Sequence, residues 1–168
     1  MLTSHELFGF MSPAQANEIL NFAYESEKPV YKATLKEVAR ALHVRPVYLE
    51  RQPRAQRHAS MVQMLSRPGL DAVAAGLLRE WLVKKHKAML VDFLNALEIK
   101  NEEGVVDDLP PAMDDAKLKA AIETLVAKYP HEAVAVYLNA FNDMNQANWA
   151  NLKQILESDS RLQFGTHP

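Results

Sequence analysis

From Leu70 to Leu97 the apolar residues return every third or fourth position, and Leu77, Leu78, Trp81, Leu82, Met89, Leu90, Phe93 and Leu94 fall on one broad face. That recurrence is the period of an α-helix, and it cannot be laid on one face of a strand. The pattern predicts a single long central helix over 70–98, about 43 Å from end to end and able to serve as the spine of a bundle.

The rest of the chain repeats this grammar in shorter phrases. Nine prolines and only five glycines occur, and the prolines punctuate periodic segments. Ser12-Pro13-Ala14-Gln15 reads as the cap and first turn of a helix over 13–27, which Pro29 would end. Thr34-Leu35-Lys36-Glu37 has the form of a capping box, so the next helix is placed at 34–43, with a start as early as Val30 left open. Pro46 opens a third segment, 46–52, that Pro53 closes, and a fourth runs over 54–66 until Pro68-Gly69. Further helices are expected at 115–128, 131–142 and 147–157. No stretch shows strand alternation. The expected fold is all-α, a multi-helix bundle of seven to eight helices. Residues 1–99 would form an N-terminal helical subdomain and 114–168 a C-terminal one packed on it. The acidic, proline-containing stretch 100–113 would link them.

Charge is unevenly distributed along these segments. Between Lys28 and Arg67 lie nine Lys/Arg and two acidic residues, a net +7, in a chain whose formal charge is −2. Clustered positive charge is the usual footprint of a polyanionic partner. Within it, Val38, Ala39, Leu42, Val44 and Leu49 have the apolar spacing of two short crossing helices. Leu35–Gln52 thereby resembles the helix-turn-helix core of many bacterial DNA-binding proteins. The resemblance implies that Arg45, Tyr48 and Arg51 face outward from the second helix, with Arg54, Arg57 and His58 behind them for phosphate contacts. His43 stands where that family usually has glycine, at a turn position needing positive φ, and Pro53 shortens the second helix.

Recognisable catalytic chemistry is missing from the sequence. There are no cysteines, which excludes disulfides, thiolate nucleophiles and Cys-based zinc sites, and suits a cytoplasmic setting. The histidines show no zinc-protease or di-iron spacing, and there is no nucleophile elbow or phosphate-binding glycine loop. Asp107-Asp108 and Asp114-Asp115 could in principle hold a hard cation, but Asp114 or Asp115 is wanted as a helix cap. No run of 18 apolar residues occurs, so no membrane span is expected. These features predict a non-enzymatic helical binding protein without cofactor or metal. Its partner would be another protein or a second copy docking along 70–98. Nucleic acid held by the 28–67 segment is the alternative, and a helical small-ligand binder or enzyme is the third.

Overall fold

The structure, a computed structural model, describes residues 1–165. The all-α expectation holds: among the described residues there is no strand, only an isolated bridge between Glu102 and Val105. The helix count does not hold. Among the described residues, ten α-helices and two single 3₁₀ turns replace the expected seven to eight. Two units can be distinguished, one built on Leu2–Trp81 and the other on Leu82–Phe164 with Met1.

In the first unit, α1 (Ser4–Phe10), α2 (Pro13–Ser26), α3 (Lys28–Ala41), α4 (Pro46–Glu50) and α5 (Arg54–Leu65) are followed by a 3₁₀ turn at Pro68–Leu70. The short α1 is absent from the sequence-based expectation. Its start is secured by Glu6, whose carboxylate accepts the Thr3 backbone N–H at 2.8 Å. Ser12 caps α2 as expected, its hydroxyl accepting the Gln15 N–H at 3.1 Å. The start of α3 differs from the expected 34. Pro29 does not merely end α2, for it lies in the first turn of α3, where its missing N–H costs nothing. Thr34 is therefore inside the helix, and its hydroxyl donates back to the Val30 carbonyl at 2.9 Å instead of capping. α5 packs on α1, α2 and α3, burying Met61, Met64 and Leu65.

The expected long helix is two helices. α6 (Asp71–Lys85) ends at His86, whose φ and ψ of −110° and 27° leave the helical region, and α7 (Lys87–Ala96) begins immediately after it. The physical reason lies in the sequence Leu82–Met89. Between those two residues none is as fully buried as Leu82 and Met89 themselves, and Lys84, Lys85 and Lys87 crowd like charges at the same place.

The second unit contains α7, α8 (Asp115–Lys128), α9 (His131–Asn145), α10 (Ala150–Ser158) and a final 3₁₀ turn at Ser160–Leu162. α7 packs on α8, and α9 packs on α8, α10 and the last turn. Every residue from Ala133 to Phe141 is buried, so α9 is enclosed all round rather than amphipathic. Phe141 meets Phe93, Tyr137 and Trp149 with ring centroids 5.3, 5.8 and 5.1 Å away. α9 does not stop at the expected 142; the helix continues until Gln146, in a left-handed conformation at φ 54°. Residues 100–113 are fastened to this unit. The Trp149 indole donates to the Pro110 carbonyl at 2.9 Å, and the Asn151 amide to that of Met113 at 2.7 Å. At Gly104 (φ 86°) an added Cβ would lie 2.8 Å from the Leu90 Cβ, so this turn requires glycine.

Candidate functional site

The six basic and aromatic residues singled out from the sequence do not form one surface. Arg45, Tyr48 and Arg51 lie on an exposed face at α4, Arg57 and His58 in a buried network behind α3, and Arg54 apart from both.

The exposed face begins with the turn between α3 and α4. His43 has φ 57°, so the left-handed turn forms without glycine. The Val44 N–H reaches the Ala39 carbonyl at 3.0 Å and the His43 N–H reaches that of Arg40 at 3.1 Å, the paired bonds of a Schellman ending. Pro46 then starts α4, and Leu49, 1% exposed, pins its inner side to the core. Arg45, Tyr48 and Arg51, spaced three apart, remain outside. Tyr48 is 59% exposed, and Val47, with Leu42 at the end of α3, is exposed to a lesser degree. Val47 and Tyr48 of α4, with the flanking Arg45 and Arg51 and with Pro53 and Gln56, line a broad groove of about 700 Å³. The surface is thus cationic, aromatic and apolar together. Arg45, Tyr48 and Arg51 occupy the outward positions that the helix-turn-helix resemblance implies, but α4 is only five residues long.

Arg54 lies apart from that face. Its guanidinium sits 4.0 Å above the Tyr24 ring, and Nη1 is 3.6 Å from a Glu25 carboxylate oxygen. Arg57 and His58, expected to reach for phosphates, are instead drawn into the interior, 8% and 2% exposed. The reason is helical phase: both lie on the side of α5 that carries Met61, Met64 and Leu65. Arg57 Nε donates to the Tyr31 hydroxyl at 2.8 Å. Its Nη1 donates to the carbonyls of Glu50 and Gln52 at 3.1 and 3.4 Å. The Tyr31 hydroxyl lies 2.9 Å from His58 Nε2.

Burial, reinforced by the charges of Arg57 and then Arg54, pushes the His58 imidazole down to about 4, so it is neutral near pH 7. Burial also raises the Tyr31 phenol, against the opposing pull of Arg57. With Arg57 Nε occupying a lone pair of the phenol, its single proton is available to the neutral imidazole. Tyr24 closes the group, edge-on to Tyr31 at 5.2 Å.

Tyr24, Tyr31, Lys28 and Lys32 are the participants that the sequence did not announce. Lys28, Tyr31, Lys32 and Leu35 stand at i, i+3, i+4 and i+7 of α3, a stripe that becomes visible once the helix begins before Pro29. One acidic pair serves a structural role: Asp114 accepts the Lys117 N–H at 2.9 Å and caps α8, and Asp115 accepts the Asn151 amide at 2.8 Å. Among the described residues no three His, Asp or Glu side chains are grouped to hold a metal ion, and no helix is long and apolar enough to cross a membrane. His167 lies outside the described residues.

The structure defines an all-helical protein with a cationic, aromatic face on its shortest helix and a buried arginine–tyrosine–histidine network. Compared with known proteins, the chain matches no family model, no curated protein and no solved structure.

Proposed function

We propose that this protein acts without catalysis, as a helical binding protein whose contact surface is the exposed face of α4. Its partner is another protein that presents an acidic segment with an apolar anchor. One observation carries the reading: Tyr48 and Val47 stand exposed on the wall of one groove with Arg45 and Arg51, on a helix whose inner side is fixed by Leu49. Tyrosine and arginine concentrate binding energy at protein interfaces, and a surface already held in place loses little entropy on docking. The two arginines complement carboxylates, while the groove offers room for an apolar side chain. The continuous 70–98 surface expected to support self-association is divided at His86, which leaves α4 as the stronger candidate.

Nucleic acid is the second reading, favoured by the left-handed His43 turn that reproduces a helix-turn-helix connection. Against it stand the five-residue length of α4 and the withdrawal of Arg57 and His58 from the surface.

A photo-crosslinking amino acid in place of Tyr48, used in living cells, separates the two. The expected product is a discrete protein adduct whose linked peptide, identified by mass spectrometry, is acidic. Arg45→Glu with Arg51→Glu should abolish it without changing the melting temperature. A nuclease-sensitive adduct, together with duplex DNA affinity that falls linearly in log salt, would establish the second reading instead. No adduct of either kind would overturn both.

A further inference from the structure

The stripe on α3 and the buried Arg57 enclose a second feature, independent of the α4 face and sharing none of its lining residues. A cavity of about 230 Å³ lies between Tyr24, α3, Glu50 and Arg57. Its cations are Lys28, Lys32 and Arg57, and Glu50 is its one acidic group. Tyr24, Tyr31 and Leu35 supply aromatic and aliphatic wall.

Arg57 is the informative member. The residue is only 8% exposed, yet every hydrogen bond its guanidinium makes is to a neutral oxygen, from the Tyr31 hydroxyl and two backbone carbonyls. Among the described residues it has no carboxylate partner, and its Nη2 makes no hydrogen bond. A cation taken out of water without a counter-charge is costly, and proteins ordinarily pair it. Here the neighbouring groups fix it in place without neutralising it. Tyr31 holds Nε, the Glu50 and Gln52 carbonyls hold Nη1, and His58 in turn holds Tyr31. An arginine oriented this firmly, with donors to spare and two lysines on the same wall, is preorganised for an anion.

The geometry points to a binding site for a small organic monocarboxylate, its carboxylate on Arg57, Lys28 and Lys32 and its apolar body against Tyr24, Tyr31 and Leu35. Volume limits the ligand, since the cavity is smaller than the roughly 300 Å³ at which typical ligand pockets begin. The wall chemistry asks for an apolar body, which inorganic anions lack. Glu50 offsets only one of the three cations, so charge alone also admits phosphate, and it is the apolar wall that favours an organic carboxylate over an inorganic anion.

Benzoate, with benzyl alcohol and inorganic phosphate as controls, tests the site on the full chain by amide NMR titration. Benzoate should give saturable shifts at residues 24–35 and 50–57 and raise the melting temperature, as any ligand of the folded state does. Benzyl alcohol, which has the ring but no charge, should give neither. Arg57→Lys should abolish the response. Because that position is buried, Lys28→Gln and Lys32→Gln provide a second arm. Each should weaken benzoate about threefold, the order expected for one partly exposed charge, with the melting temperature of the free protein unchanged. Absence of saturable benzoate shifts overturns the site. So does benzoate binding unaffected by both lysine changes, or an equal response to benzyl alcohol. Phosphate saturating the same amides as tightly as benzoate overturns the assignment to carboxylates.

Discussion

At the scale of single residues, His58 shows how position in a helix overrides the apparent meaning of a side chain. In sequence it joins a run of positive charge; in the structure it is a neutral partner for a phenol. That neutrality has a measurable consequence. The folded state binds the imidazole proton only near pH 4, whereas an unfolded histidine binds it near pH 6.5. Between those values the unfolded chain carries more protons, so stability rises with pH. The contribution is complete above about pH 6.5 and is lost as pH falls toward 4. By pH 5, before most carboxylates titrate, the loss should be on the order of 2 kcal/mol. Urea denaturation at closely spaced pH values should show this slope in the wild type and a flatter one in His58→Gln. Equal slopes would mean that His58 is protonated as readily folded as unfolded.

At the scale of elements, the places where sequence and structure part company share a cause: one local signal had two readings, and long-range packing chose between them. Pro29 could end a helix or open one, and it opens α3. Thr34 could cap a helix or sit inside it. Choosing the cap placed Tyr31 and Lys32 outside any helix, so the stripe that lines the cavity was invisible, while Arg45, Tyr48 and Arg51 were legible because Pro46 has only one good reading. Helix endings were harder still. α3, α7 and α9 each finish beside a left-handed residue, His43, Glu98 and Gln146, and none of these is glycine. Gly76 presents the opposite case, a glycine with no conformational duty. It lies exposed in the middle of α6, with nothing within 4 Å of an added Cβ. The close helix crossing that could have justified it is not there. Gly76→Ala should therefore stabilise the protein by about 0.5–1 kcal/mol through backbone entropy and helix propensity. A rise in denaturation midpoint with unchanged urea dependence would confirm it, and a fall would reveal an unseen packing role.

At the scale of the whole molecule, helical periodicity and the absence of strand alternation were enough to read the fold class, because both are properties of every segment. The division into units was not legible in the same way. It depends on which apolar faces meet, and that information is distributed over residues far apart in the chain. Leu82–Phe164 has an aromatic centre of its own in Phe93, Tyr137, Phe141 and Trp149, joined by ring contacts of 5.1–5.8 Å. Phe141 is the member common to three of those contacts and is fully buried. Phe141→Ala removes that hub and leaves a cavity in a helix enclosed on all sides, so it should cost about 3–5 kcal/mol. Hydrogen exchange should locate the damage. If this unit has its own core, protection should fall first and furthest in α7 to α10, while the amides of α2, α3 and α5 change little at the same denaturant concentration. An even loss over Leu2–Trp81 and Leu82–Phe164 would show instead that the two cores melt as one cooperative body.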